Sequence, residues 1–212
     1  LKELQKKVPP LIVLHGQTGV GKTLVLKKLP NHLDLEELAQ HRSSLFGAIN
    51  KIPRSQKNFE AQLLFSLNKI DYSRHLFIEG ESSKVGQVFI PPMLANSMKK
   101  GIFVLLYASI ETRIKRIVEE YQIIDYKSIQ QIDSILISMR FALGNDRVRK
   151  MRIWLKNGEI ESIVRMLLLE YYDPLYLNSM KKYKFTLTLS SEDLELTKRE
   201  LIRFNNENFR NI

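Results

Sequence analysis

The 212-residue sequence contains no cysteine. That excludes disulfides, thiolate metal sites and any cysteine nucleophile within this chain. Histidine is scarce: His15, His32, His41 and His75 lie scattered, without the spacing of a metal-ligand set. No apolar run approaches the roughly 20 residues that a membrane-spanning helix needs. Nothing ahead of the first apolar segment has the pattern of a signal peptide. The expectation is a soluble, cytoplasmic protein with no membrane partner, and a start at Leu1 rather than Met fits a piece of something longer. Acidic residues are also short, 23 against 33 Lys and Arg, which leaves a formal charge of +10. A balance of that sign suits a polyanion such as nucleic acid, and serves equally as a solubility device.

What the sequence does contain begins at LIVLHGQTGVGKT. The apolar run Leu11 to His15 leads into Gly16, Gln17, Thr18, Gly19, Val20, Gly21, Lys22 and Thr23, which fits G-x-x-x-x-G-K-[ST]. Glycines let such a loop turn its N–H groups inward where Cβ atoms would block an anion. A helix expected over 23–29 adds its positive end. Lys22 brings a mobile charge to the outer phosphate, and the Thr23 hydroxyl is a Mg²⁺ ligand in loops of this kind.

Further short apolar runs follow at His32 to Leu35, His75 to Glu79, Ile102 to Ala108 and Lys184 to Leu189, separated by helical periodicity. The expected fold is α/β: a P-loop NTPase-like three-layer sandwich on a five-stranded, mainly parallel sheet. Residues 1–10 read as a lead-in and 11–212 as the P-loop domain. Ile102 to Ala108, apolar on both alternating faces, is expected as a central strand. In SIETRIKRIVEEY, Ile110, Ile114, Ile117, Val118 and Tyr121 make one apolar stripe, with Ser109 as its N-cap and Glu111 in the first turn. A helical insertion is expected over about 125–182, before the last strand.

Several side chains are candidates for chemistry. Glu79 ends the third expected strand, with Glu81 two residues on. Both are placed for acid/base catalysis, and Glu79 also as a metal ligand beside Thr23. Arg113 and Arg116 could reach over the phosphates, or be ordinary surface arginines. The segment Arg140 to Lys156 holds Arg140, Arg147, Arg149, Lys150, Arg152 and Lys156 against Asp146. It reads either as a solvated face or as a surface for phosphates of substrate or RNA. His41, Arg42, Ser43 and Ser44, then Phe46 and Gly47, are too polar and too aromatic for a plain connector, and look like a substrate loop. Tyr171, Tyr172 and Asp173 are candidates too, although aromatics before Asp-Pro also anchor helix ends.

The ordered set GQTGVGKT, DLEELAQHR with FG, SQKNFE, EGES with VG and IP, and EYYDPLY resembles the P-loop domain of the tRNA 2-selenouridine synthase family, from about Leu11 to Tyr176. Two departures stand out: Ser43-Ser44 where the family has Gly-Ser, and Ser83 where an Arg usually follows Glu-Ser, with Lys84 next to it. The resemblance implies a transferase that modifies tRNA. In that family the wobble 2-thiouridine is first S-geranylated from geranyl diphosphate, then converted to 2-selenouridine with selenium from selenophosphate. It implies tRNA, a selenophosphate supply and a rhodanese-like domain or subunit as partners. It also makes Lys22, His41, Glu79 and Glu81 catalytic candidates, and Arg42, Ser43, Gln56, Arg113, Arg116 and Arg147 candidates for substrate or tRNA contact. Mg²⁺ and a phosphate-bearing donor are the expected ligands. ATP or GTP belongs to the alternatives, an ATP-dependent small-molecule or nucleoside kinase and a non-catalytic nucleotide- or RNA-binding module.

Overall fold

The computed structural model describes residues 8–80, 83–121 and 126–208. Its chain divides into two compact units. The sheet unit comprises residues 1–16, 21–107 and 184–212, and the helical unit comprises 17–20 and 108–183.

In the sheet unit, β1 (Leu11–His15) is flanked by β3 (Leu76–Glu79) and β6 (Ile102–Tyr107). The edges are β2 (His32–Leu33) and β7 (Leu187–Ser190), giving the order β2-β3-β1-β6-β7. Every pairing is parallel, as an α/β sandwich of the P-loop type requires. Alternation along β1 assigns the two faces. Leu11 and Val13 stand level with Leu76 and Ile78 and share one core cluster with Phe59, Leu63 and Leu67 of α3 (Gln56–Leu67). Ile12 stands level with Phe77, and with Leu14 both are buried on the opposite face. A strand covered on both sides has no polar face to offer, so β1 is apolar throughout until His15. Full burial of one such Leu, Ile or Phe is worth roughly 1.5–3 kcal/mol.

The central strand is therefore β1. The apolar run Ile102 to Ala108, expected as a central strand, forms β6 inside the sheet between β1 and β7, with Val104 and Leu106 buried and Tyr107 exposed. The second strand stops at Leu33 because Asp34 turns the chain. Its carboxylate accepts the Glu37 N–H at 2.8 Å and N-caps α2 (Leu35–Ala39). The helix after the loop, α1 (Lys22–Leu26), gives way to tighter turns before Pro30, which disfavours helix at the residue preceding it. A hairpin absent from the sequence-based expectation joins β4 (Lys84–Val85) to β5 (Val88–Phe89) through Gly86-Gln87, with Gly86 at φ +56°. Between it and β6 lies α4 (Pro92–Lys99), and α11 (Leu194–Asn208) follows β7.

The longer segment of the helical unit begins at Ala108. The Ser109 hydroxyl accepts the Thr112 N–H at 3.2 Å and caps α5 (Ile110–Tyr121). Ile114 packs with Val164 and Leu168, joined by Ile110, Ile117 and Val118, so four residues of the expected stripe line one core. The unit continues with α6 (Tyr126–Ser138), α7 (Arg140–Leu143), α8 (Asn145–Lys156) and α9 (Ile160–Leu167). A π-helical turn at Leu168–Tyr172 then leads into α10 (Asp173–Met180). Among the described residues no helix is long and apolar enough to cross a membrane.

Candidate active site

The strand order reverses direction at β1, and in open parallel sheets ligands meet the carboxyl ends of the strands at that point. The loop Gly16–Thr23 leaves the sheet there. Gly19 and Gly21 take φ +83° and +86°, the left-handed backbone that glycine adopts without strain. The Lys22 ammonium lies 2.8 Å from the carbonyl oxygen of Gly16, at the head of the loop, while Gly21 caps α1. Thr23 directs its hydroxyl to Oε2 of Glu36 at 3.5 Å.

Glu36 is a residue that sequence reasoning passed over. It sits in the first turn of α2, and its other carboxylate oxygen accepts the Ser43 N–H. The available signal was the Asp34 cap, which fixes where α2 starts and hence which of its two glutamates turns back toward Thr23. Glu79 is 1% exposed at the end of β3, level with Leu14 of the strand that feeds the loop. Glu81 lies outside the described residues. Hard oxygen donors at Thr23 and Glu36 fit a Mg²⁺ ion.

His41 packs between two backbones. A Cβ on Gly86 would fall 2.3 Å from its Cγ, and one on Gly47 would fall 2.5 Å from its Cε1. Gly47 and Gly86 are thus the walls of a histidine slot. Its Nδ1 is buried and meets no hydrogen-bond partner among the described residues. The neighbouring candidates hold the segment together. Arg42 donates to the carbonyl of Ile49 at 3.0 Å, and the exposed Ser43 gives its N–H to Glu36. The Gln56 amide accepts the N–H of Phe89 at 2.8 Å and donates to its carbonyl at 3.0 Å, fastening the hairpin to α3.

In the helical unit, Arg113 and Arg116, which could have been ordinary surface arginines, donate to the carbonyls of Thr18 and Val20. Arg147 pairs with Glu170 at 3.3 Å, Arg149 with Asp146 at 2.8 Å and Arg152 with Asp133 at 2.6 Å. Tyr171 and Tyr172 meet edge to face at 5.1 Å.

Compared with known families, residues 9–201 match the tRNA 2-selenouridine synthase AAA domain. The chain belongs to the tRNA 2-selenouridine synthase family. A tRNA 2-selenouridine synthase of Sulfurovum sp. (strain NBC37-1) is 32% identical over 204 residues, covering 83% of this chain and 56% of that protein. The one from Hydrogenovibrio crunogenus is 32% identical over 197 residues, covering 84% and 55%. The chain thus spans about half the length of the curated relatives it matches. Among solved structures, a shikimate kinase from Acinetobacter baumannii in complex with shikimate is similar at 17% identity and a TM-score of 0.41, over 97% of this chain and 98% of that one.

Within the family match, Gly16 to Thr23 gather as one loop, and Glu36, His41 and Ser43 lie together in the sheet unit. Arg147 and the rest of the basic segment belong to the helical unit, on α7 and α8.

Proposed function

We propose that this chain is the phosphate-binding part of an enzyme that converts wobble 2-thiouridine in tRNA to 2-selenouridine through an S-geranylated intermediate. The loop Gly16–Thr23 takes the phosphate-bearing donor, geranyl diphosphate in the first step and selenophosphate in the second. In the first step the thiouridine sulfur forms a bond to C1 of the geranyl group. The C1–O bond breaks, and its electron pair leaves on the diphosphate. In the second, the selenium of selenophosphate forms a bond to the uridine carbon, the C–S bond breaks with its electron pair leaving on geranyl thiolate, and water cleaves the Se–P bond to release phosphate.

The supporting observation is the loop itself: two glycines in left-handed backbone, and the Lys22 ammonium held 2.8 Å from Gly16 O. Departure of diphosphate needs stabilisation of developing negative charge rather than a strong base, and inward amides with one mobile ammonium supply it. Thr23 and Glu36 would hold Mg²⁺, which when bound neutralises further charge on the leaving diphosphate. We assign proton handling on the uridine ring to His41, whose Nδ1 is buried, and to the buried Glu79. The +10 charge suits tRNA. A rhodanese-like part and a source of selenophosphate complete the reaction.

The test is Lys22→Ala in the whole enzyme on thiolated tRNA. Loss of geranyl transfer and of selenation is expected; retention of both would overturn the phosphate role.

A further inference from the structure

In a phosphate loop the inward N–H groups leave the intervening carbonyls facing outward, and each needs a donor of its own. Two such carbonyls are served from α5. Arg113 Nε donates to Thr18 O at 2.8 Å, and Arg116 Nη1 donates to Val20 O at 2.8 Å. The peptide unit is planar and trans, so its C=O and N–H point in opposite directions. Fixing the carbonyls of Thr18 and Val20 therefore fixes the N–H groups of Gly19 and Gly21, the amides of the two left-handed glycines. Gly19 itself lies hard against α5. A Cβ there would stand 2.8 Å from Ile117 Cδ1 and 2.9 Å from Arg113 O. The loop tip, residues 17–20, accordingly belongs with the helical unit.

Arg113 is 3% exposed, and its remaining nitrogens are committed. Nη1 and Nη2 donate to the two carboxylate oxygens of Asp173 at 2.9 and 2.6 Å. A bidentate pair fixes the guanidinium plane as well as its position. Asp173 is placed by the π-helical turn at Leu168–Tyr172 and is followed by Pro174, which has no N–H to satisfy.

We infer that Arg113, Arg116 and Asp173 are positioning residues that hold the phosphate loop with its Gly19 and Gly21 amides turned toward the anion, the arginines making no contact with the ligand. Asp173 sets the plane of Arg113, so the register of the helix at the π turn sets how well the loop binds phosphate. This inference rests on the reading of the loop as a phosphate-donor site.

The experiment is calorimetric titration of inorganic diphosphate into the protein and its Arg113→Lys, Arg116→Gln, Asp173→Asn and Asp173→Glu variants. Hydrogen exchange of the ligand-free forms runs alongside. Arg113→Lys and Arg116→Gln are each expected to weaken diphosphate binding about tenfold, the worth of one hydrogen bond from a charged group. Amide exchange at Gly19 and Gly21 speeds up while that of β1 is unchanged. Asp173→Asn also weakens binding, and Asp173→Glu restores part of it. The sign for Asp173→Asn is decisive. An arginine that reached the phosphate directly would be released by this change, and binding would tighten. Tighter binding, or unaltered exchange at Gly19 and Gly21 in every variant, overturns the inference. Because the exchange readout needs no ligand, it decides the matter even for a variant of reduced stability. A protein that binds inorganic diphosphate but not geranyl diphosphate would overturn the donor assignment and leave the positioning role standing.

Discussion

The hydroxyl of Thr23 stands 3.5 Å from one oxygen of Glu36, and the other oxygen of that carboxylate holds the Ser43 N–H. One side chain thus joins the end of the phosphate loop to the His41–Gly47 segment. Glu36→Gln keeps the size and removes the charge. With Mg²⁺ present it is expected to weaken diphosphate binding several-fold. Without Mg²⁺ binding should hold or tighten, because a negative charge beside the anion has gone. Calorimetric titration under both conditions distinguishes this from a structural role, which would weaken both equally.

His41 and Gly86 form a second coupled pair. Gly86→Ala brings a Cβ to 2.3 Å from the imidazole Cγ and places it on a residue at φ +56°. Overpacking costs about 1–3 kcal/mol, and left-handed backbone adds roughly 1–2 kcal/mol. Thermal unfolding should show a large fall in Tm, and combining the change with His41→Ala should recover the packing part. A double variant no more stable than Gly86→Ala alone would disprove the slot.

The basic face of the helical unit is less free than its composition implies. Arg149 and Arg152 are paired with Asp146 and Asp133, and a paired arginine offers a polyanion little net charge. Arg140, Lys150 and Lys156 are exposed. Arg140 lies 4.8 Å from the ring of Phe141, and Lys150 lies 4.8 Å from that of Trp154. Phe141 is itself 88% exposed, which suits base stacking. Neutralising Arg140, Lys150 and Lys156 together is expected to lower the salt slope of tRNA binding by about 2. Neutralising Arg149 and Arg152 should change it less. An unchanged slope in the first variant would return the segment to a solvated face.

Burial holds His75 below its ordinary value of 6.5. The unfolded chain therefore takes up a proton that the folded chain resists. The stability this neutral imidazole contributes is complete above pH 6.5 and is lost as pH falls from there through the folded value. Asp193, held low by the N–H groups of Leu196 and Glu195, loses its contribution only in stronger acid, below its ordinary 3.8. Urea unfolding from pH 7.5 to 5 should show stability falling, with a flatter dependence in His75→Gln. Equal slopes would remove His75 from the account.

The five strands and the phosphate loop were legible because they rest on local pattern: LIVLH before glycines, and apolar runs at regular intervals. The hairpin at Lys84 to Phe89 was not, since its strands are two residues each and carry no periodicity. The roles of the arginines were harder still. Arg113 lies on an amphipathic helix in a position any surface arginine could take. What decides its role is Asp173, 60 residues away, and a main-chain carbonyl that no side-chain pattern encodes. Glu36 was hidden in a helical motif whose start depends on a single cap.

The proposed function requires Gly16–Thr23 to bind the diphosphate of a prenyl donor. Thermal stabilisation of the chain by geranyl diphosphate, inorganic diphosphate, Mg·ATP and Mg·GTP, with Lys22→Ala as control, measures it most directly, since a ligand bound to the folded state raises its stability. A Tm increase is expected with geranyl diphosphate but not with ATP, abolished in Lys22→Ala. Stabilisation by ATP alone would contradict it and assign the loop to a kinase.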